Sequence, residues 1–298
     1  MTGPGFWRRL WRRPGAAASA AVLGLLALSA LSAPWIAALL GHDPDMVDLL
    51  ARLEPPSLAH PLGTDELGRD VLVRLLHGGR VSLLVGVVGA LAAASIGTAV
   101  GLVSGFLGGR IDAALMRLCD AVIALPLLPL LIVLAAIDLT KLGLPADAAS
   151  APEASLWRIV ALVALVGWTG VARLVRATVL SLRERDFVTA AVSIGAGPWR
   201  IMLRHLLPNA ISPILVATTL SVGSVILVES VLSFLGLGIQ PPKASWGSML
   251  TNAQELVTTA PVLAIYPGLL IFATVVCCNV LGDALQEAVD PQESRRGG

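Results

Sequence analysis

Long apolar runs that contain no Asp, Glu, Lys, Arg or His dominate the chain. Four of them exceed the roughly 20 residues that a helix needs to cross the hydrocarbon core of a bilayer: Pro14–Gly41, Val81–Gly109, Leu206–Val228 and Leu256–Gly282. Two shorter runs, Ala121–Ile137 and Ile159–Ala172, become long enough if the charged side chains at their ends extend toward the interface. The pattern therefore predicts six membrane-spanning helices.

Uninterrupted apolar runs of this length favour helices over the alternating strands of a membrane barrel, because a helix satisfies its own backbone hydrogen bonds in lipid. The composition agrees, with 56% hydrophobic and 14% charged residues and a mean hydropathy of +0.81. We therefore expect an all-α, polytopic membrane helical bundle. The net charge of +1 gives no electrostatic support for nucleic-acid binding.

The positions of Arg and Lys predict how the bundle is oriented. With the N-terminus inside, 14 of the 21 Lys and Arg residues lie on cytoplasmic segments, in agreement with the positive-inside rule. Six spans then bring both chain ends to the cytoplasmic side of the cell inner membrane. The first run is interpreted as an uncleaved anchor, since it is too long for the alternative, a cleaved signal peptide behind the basic residues Arg8 to Arg13.

These spans divide the chain into four parts. Residues 1–41 form the cytoplasmic N-terminus and first span, and residues 42–80 form an extracytoplasmic segment with a short interfacial helix. Residues 81–290 form the core transmembrane domain, which includes a cytoplasmic loop at 181–209, and residues 291–298 are a cytoplasmic tail. In the second part, Thr64 is predicted to cap the short helix, with Asp65 and Glu66 in its first turn.

The second span carries small residues every four positions, which we call the small-residue stripe. They are Gly89, Ala93, Gly97, Gly101, Gly105 and Gly109. Such a stripe forms one helical face against which another helix backbone can approach closely. The sequence predicts tight helix packing here, with a static interface favoured over a moving one.

Acidic residues within or beside the spans are candidates for function, because they are costly in a membrane. Asp120 and Asp283 lie at span ends and are interpreted as interfacial. Glu229 follows the long uncharged run of the fifth span and faces a pore or pairs within the bundle. It is the candidate residue for a translocation path.

The 181–209 segment is polar and lies between two apolar runs. Ala190, Ala191 and Gly195 are small residues at about one-turn spacing, which would let a short helix lie close to another protein. Gly195 to Pro198 are predicted to end that helix and turn the chain. The pattern alone leaves two interpretations open: a docking site for a cytosolic partner, or a solvated hairpin.

Catalytic chemistry finds little support in the sequence. The P-loop pattern is absent, so the chain is not expected to hydrolyse ATP through that motif. His42, His60, His77 and His205 are not expected to form a metal-ligand cluster, and no catalytic triad is evident. Cys119, Cys277 and Cys278 are interpreted as buried apolar residues. We expect no catalytic, metal or cofactor site.

Three segments resemble ABC-transporter permease subunits. The 186–209 stretch, DFVTAAVSIGAGPWRIMLRHLLPN, is similar to their cytoplasmic EAA loop, although Thr189 stands where the family has Glu. HPLGTDELGRDVLVRLLHGGRVSL and FLGLGIQPPKASWGSML resemble the permeases for dipeptides, oligopeptides, glutathione and nickel. The resemblance implies a type I importer permease fold (MetI-like) and a coupling site in the loop, formed by Asp186, Thr189, Ala190, Ala191, Gly195, Ala196, Gly197 and Pro208.

The same resemblance implies the function and the partners. A second homologous permease, two ATPase subunits and an extracytoplasmic solute-binding protein would complete an ATP-driven importer of di- or oligopeptides. Nickel and glutathione are alternative cargoes. An ion-coupled secondary transporter is the alternative from another class, although the chain shows no clear internal repeat of the kind such carriers contain.

Overall fold

The computed structural model describes residues 10–11, 13–143, 145–149, 151, 153–251 and 256–289. This part of the chain contains helices, short helical turns and one isolated bridge between Thr64 and Asp70, and no strand within it. The all-α prediction is confirmed. The extreme ends that we assigned to the cytoplasm, 1–9 and 290–298, lie outside the described residues.

The helices are numbered here in chain order. They are α1 (Pro14–Leu31), α2 (Ala33–Leu40), α3 (Val71–Leu107), α4 (Gly109–Ala124), α5 (Leu127–Ala135), α6 (Ala146–Ala149), α7 (Ala154–Arg183), α8 (Asp186–Ser193), α9 (Pro198–Ile201), α10 (Leu207–Phe234) and α11 (Val262–Val289). A π-helical stretch, Met202–Leu206, joins α9 to α10.

Among the described residues, five helical stretches are long and apolar enough to cross a membrane: α1, α3, α7, α11 and the continuous stretch from α9 through α10. The predicted third span is instead divided between α4 and α5, which meet at an angle of 86°. Pro126 explains the break, because the residue before a proline is pushed out of the helical region and Leu125 is extended here (φ −76°, ψ 138°). The count is six if this bent pair forms one span.

The centre of the bundle is the parallel pair α3 and α7, held together along the small-residue stripe. A Cβ atom added at Gly97 would lie 2.5 Å from the carbonyl oxygen of Trp168. One added at Gly101 would lie 2.6 Å from the carbonyl oxygen of Ala172. These distances leave no room for any side chain, so the predicted tight packing is confirmed and its partner is α7.

The remaining long helices surround this pair. The α10 helix runs antiparallel to α3, and Gly86 of α3 is packed against Ile226 of α10. The α11 helix packs antiparallel to α10 through Gly223 and Gly282. The α1 helix packs on α11, where Gly15 faces Val280. Close approaches at glycine thus recur at the interfaces.

The segment between α2 and α3 differs from the prediction. No separate helix is capped by Thr64, whose hydroxyl instead accepts a hydrogen bond from the Glu54 amide at 2.8 Å. Asp70 caps α3 by accepting from the Val73 amide at 2.8 Å, and α3 continues without interruption into the membrane span. The Asp70 carboxylate meets the orphan amides of the first turn, which explains why the helix begins there.

The stripe generates a prediction about stability. Gly101→Ala should destabilise the protein, because the new methyl group meets the backbone of α7, which cannot rotate away. Overpacking of this kind costs about 1–3 kcal/mol, which lowers Tm by roughly several degrees. Thermal unfolding is measured with a thiol-reactive fluorophore, since Cys119, Cys277 and Cys278 are all buried and free.

Gly170→Ala on the facing helix α7 is the matched control. A Cβ atom there has no neighbour within 4 Å, and replacing a mid-helix glycine by alanine is worth about 0.5–1 kcal/mol in favour of the helix. The control should keep or raise Tm. Equal Tm values for both variants would contradict the proposed backbone contact.

Candidate functional site

The 181–209 segment is anchored to the bundle by one face. Val188 and Ala191 of α8 are buried, and they join an apolar cluster with α3, α7 and the chain that leads into α10. The other buried members of this cluster are Ala94, Leu102, Val171, Val175, Val179, Ile201, Met202 and Leu206. The short helix is therefore in direct packing contact with the paired helices α3 and α7.

Gly195 ends α8, as the sequence predicts. Its φ of +80° lies in the left-handed region, and its amide donates to the Val192 carbonyl at 2.9 Å. The Ala196 amide donates to the Ala191 carbonyl at 3.0 Å. This pair of bonds is the Schellman motif, in which glycine is favoured because it has no Cβ. Gly197, by contrast, has an ordinary φ of −69°.

The opposite face of the segment is exposed. Asp186, Thr189 and Ala190 lie on it, together with Gly195 and Gly197, whereas Ala196 is half-buried. Ala191 was expected to join Ala190 and Gly195 in contacting a partner, but it faces the bundle. The three small residues therefore do not form one surface.

Sequence reasoning missed the apolar side chains that this face exposes. Ile194 is 86% exposed and Trp199 is 67% exposed. The exposed large apolar side chains of the segment, which we call the apolar patch, are Phe187, Val192, Ile194, Trp199 and Leu203. Charged residues precede them or lie among them in sequence: Arg183, Glu184, Arg185, Arg200 and Arg204. The signal was available, since Trp199 and Leu203 are four apart in an amphipathic stretch that otherwise presents arginines.

Pro208 lies at the junction between the segment and α10. Because proline has no amide hydrogen, it cannot donate to the carbonyl one turn earlier. The preceding turn is widened into the π-helical stretch Met202–Leu206, and the Leu207 amide donates to the Met202 carbonyl. The segment thus continues into the span without a break.

Ion pairs fasten the same end of the bundle. Arg176 of α7 donates to both carboxylate oxygens of Asp112 of α4 at 2.5 and 2.6 Å. Arg173 pairs with Asp120, so this acid is bound to α7. The Arg183 guanidinium donates to the Phe106 carbonyl at 3.2 Å, which joins the ends of α7 and α3. Bidentate arginine–carboxylate pairs of this kind fix the relative orientation of helices.

Glu229 lies toward the other end of the bundle and is fully buried, with 0% exposure. Its carboxylate accepts hydrogen bonds from Ser233 at 2.6 Å, Ser245 at 2.7 Å and Ser82 at 3.2 Å. These serines come from α10, the loop 235–251 and α3. The geometry fits pairing within the bundle, the second of the two roles that the sequence left open.

The loop 235–251 is tied down around this carboxylate. Trp246 is buried and donates from its indole nitrogen to the Leu75 carbonyl at 2.9 Å, and its amide donates to Ser82 at 3.1 Å. Gly247 is packed so closely that an added Cβ would lie 2.4 Å from Cα of Ser230. At the surface, the Lys243 ammonium donates to Glu153 at 2.7 Å, and this hydrogen bond lowers the pKa of Glu153.

The segment between α2 and α3 contains a grouping that the sequence did not reveal. The rings of His42 and His60 stack with centroids 4.6 Å apart, and Nδ1 of His60 lies 3.0 Å from Oδ2 of Asp70. Ligand atoms of all three residues lie within 4.8 Å of one another. The structure therefore brings His42 and His60 together with Asp70 in a grouping that the sequence analysis did not expect. Residues far apart in sequence meet here because the segment folds back on α3.

Two family models match the chain. Residues 97–295 match the binding-protein-dependent transport system inner membrane component. Residues 5–56 match the N-terminal transmembrane domain of oligopeptide transport permease C. The first match includes α7, the 181–209 segment, α10 and α11, so it covers the elements that build the candidate site.

Several curated relatives are similar over nearly their whole length. The glutathione transport system permease protein GsiD of Pectobacterium atrosepticum is 39% identical over 96% of this chain and 91% of its own. The probable D,D-dipeptide transport system permease protein DdpC of Escherichia coli is 38% identical over 92% and 86%. The oligopeptide transport system permease protein OppC of Haemophilus influenzae is 35% identical over 98% and 91%.

The match to a family of binding-protein-dependent transport components gives no support to the alternative that the chain is a self-contained, ion-coupled carrier. The helical bundle with its five to six candidate spans agrees with an inner-membrane, multi-pass protein. By sequence and by architecture, the chain belongs to the family of binding-protein-dependent ABC transport permeases, among those related to the dipeptide, oligopeptide and glutathione systems.

Proposed function

We propose that this chain is one of two permease subunits of an ATP-driven importer for di- or oligopeptides, and that it couples to an ATPase through the 181–209 segment. The observation that carries the proposal is the two-sided character of α8. One face is built into the core of α3 and α7, and the other presents an exposed apolar patch. A separate protein that grips the patch would act on the bundle without any flexible linker between them.

The chemistry of the patch suits a protein partner. Contiguous exposed apolar side chains rimmed by charge are typical of interaction surfaces. Aromatic anchors such as Trp199, which is 67% exposed, contribute strongly when a partner covers them. The flanking arginines and Glu184 then lie at the rim, where they select a complementary surface. An ATPase domain in the cytoplasm is the partner that the family requires, because the chain has no P-loop.

Movement of the ATPases would be transmitted through packed side chains. ATP binding draws the two ATPase subunits together, and one of them carries the α8 helix of this chain docked on it. Because Val188 and Ala191 pack in the same cluster as Val175 and Val179, displacement of α8 displaces α7 and its partner α3. The bundle thereby moves between inward-facing and outward-facing states, with the solute path at the interface with the second permease.

Peptides are the cargo class that the relatives favour. Their names are those of dipeptide, oligopeptide and glutathione systems, and glutathione is itself a small peptide. Nickel remains the alternative cargo from the resemblance. A solute-binding protein outside the cell would deliver the cargo to the end of the bundle that holds the loop 235–251, and both chain ends would lie in the cytoplasm.

The first prediction from the proposed function tests coupling at Gly195. Gly195→Ala should weaken it, because a side chain in the left-handed conformation costs about 1–2 kcal/mol and disturbs the end of α8. One kcal/mol corresponds to roughly a fivefold change in an equilibrium. The complex is reconstituted with its second permease, ATPases and binding protein, and ATP-dependent dipeptide uptake and ATPase retention are measured.

Gly170→Ala is the control for that experiment, since Gly170 of α7 lies outside the 181–209 segment and a Cβ atom added there has no neighbour within 4 Å. It should retain both uptake and ATPase binding. Uptake by the Gly195 variant equal to that of the control would contradict the coupling role. Uptake driven by an ion gradient without ATP would instead support the secondary transporter.

The second prediction concerns orientation. A cysteine at Gln240 should react with a membrane-impermeant maleimide added outside the cell, and one at Ala190 should react only after permeabilisation. Both positions are exposed in the structure, and the three native cysteines are buried. Ser245 is fully buried and is unsuitable for this measurement. The opposite labelling pattern would reverse the proposed topology.

The third prediction separates two roles of Glu229. As an anchor for the loop 235–251, it should tolerate Glu229→Gln, which keeps an acceptor oxygen for Ser233 and Ser245. Glu229→Ala should lower Tm strongly, because each hydroxyl left unpaired in the interior costs about 1–3 kcal/mol. Both uptake and thermal unfolding are measured. Loss of uptake in the Gln variant at unchanged Tm would indicate a direct role in the translocation path.

A further inference from the structure

We propose that His42, His60 and Asp70 form a binding site for a divalent transition-metal ion such as Zn²⁺. This inference is independent of the transport function and concerns the segment that joins α2 to α3. Ligand atoms of the three residues lie within 4.8 Å of one another. Two imidazoles and one carboxylate, with water in the fourth position, are a common ligand set for zinc.

Two of the groups are already close to the spacing of a metal site. Nδ1 of His60 and Oδ2 of Asp70 are 3.0 Å apart. Two ligands that each lie about 2.0–2.1 Å from a tetrahedral Zn²⁺ are separated by about 3.3–3.4 Å, so a few tenths of an ångström separate the two arrangements. In the metal-free state these two atoms are hydrogen-bonded to each other, and a bound ion would take the place of the hydrogen between them. The other oxygen of Asp70 remains occupied as the cap of α3, which holds the carboxylate in place.

The tautomer of His42 is also suitable. Its Nε2 lies 2.8 Å from the Ala59 carbonyl oxygen, which can only accept a hydrogen bond. Nε2 therefore carries the proton, and Nδ1 keeps a lone pair for a metal. A hydrogen bond from the second ring nitrogen to a backbone carbonyl is the usual support for a metal-ligating histidine. The stacked rings need a rotation about their side-chain bonds to face one ion.

The surroundings restrict which ion would bind. Asp70 is buried and His60 is largely buried, with side-chain exposures of 1% and 16%. The nearby cation Arg74 is engaged with Asp65 and Asp45. Imidazole ligands favour Zn²⁺, Ni²⁺ or Cu²⁺ over Mg²⁺ and Ca²⁺, which prefer all-oxygen sites. We therefore expect binding of zinc and no response to magnesium.

The position of the site gives it a structural consequence. His42 follows the end of α2, which terminates at Gly41, whereas Asp70 begins α3. His60 comes from the middle of the segment between them. A bound ion would fasten the first part of the chain to the start of the central helix α3. Metal binding should therefore raise thermal stability, because it favours the folded state.

The test uses the purified full-length chain in detergent with an affinity tag that contains no histidine. Zn²⁺ is titrated in competition with a chromophoric chelator, and Tm is recorded with and without the metal. The wild-type chain should bind one equivalent, and His42→Ala should weaken binding at least about tenfold. His42 is half-exposed, and its side chain hydrogen-bonds to one carbonyl and stacks on His60, so the variant should change the metal-free Tm only slightly.

The matched control is His77→Ala. His77 lies on α3, where Nδ1 hydrogen-bonds to the Val73 carbonyl at 2.9 Å, and it is outside the cluster. It should bind Zn²⁺ like the wild type. Co²⁺ provides a second readout, since its visible absorption bands report nitrogen ligation and should disappear in the His42 variant. Equal Zn²⁺ affinity for wild type and His42→Ala, or equal loss in the His77 control, would overturn the proposal.

Discussion

The approach of two helix backbones, α3 and α7, is the constraint on which the rest of the structure depends. In a bilayer, an apolar side chain gains little free energy when it moves from contact with lipid to contact with another helix. Helices therefore associate through close van der Waals contact and hydrogen bonds. Gly97, Gly101 and Gly105 allow that contact over consecutive turns. The last of them faces Val179, which belongs to the cluster that seats α8. The small-residue stripe thus determines where α8, the proposed docking helix, lies.

The two ends of the bundle satisfy their polar groups in different ways. At one end, the buried Glu229 accepts hydrogen bonds from hydroxyl groups of two helices and of the loop 235–251. These bonds hold the loop against the helices. At the other end, ion pairs join α7 to α4, and an apolar patch remains uncovered. One fixed end and one end with an exposed apolar patch are consistent with the coupling that we propose, in which the subunit is moved from the side of α8.

The sequence predicts the features that depend on local composition. Apolar runs identify the long helices, four-residue spacing identifies the stripe, and Gly195 identifies the end of α8, because each follows from neighbours along the chain. Contacts between distant segments were not predictable. The pairing of His42 with His60 and the burial of Ala191 both depend on how segments fold back on one another. The capping of α3 by Asp70 is a local contact with Val73, and the sequence analysis assigned the cap to Thr64 instead. The bend between α4 and α5 was predictable locally, from Pro126, but the length of the apolar run does not reveal it.

The internal contacts of the loop 235–251 explain why its sequence identifies the family better than the cargo. Trp246 and Gly247 are packed against α3 and α10, and the Ser245 hydroxyl is hydrogen-bonded to Glu229. Side chains engaged in this way have no surface left with which to distinguish one solute from another. The resemblance of this loop to permeases for glutathione, dipeptides and oligopeptides is then a resemblance in folding requirements. Selection among such solutes is then left to other surfaces, which in the complex that we propose are the path shared with the second permease and the solute-binding protein.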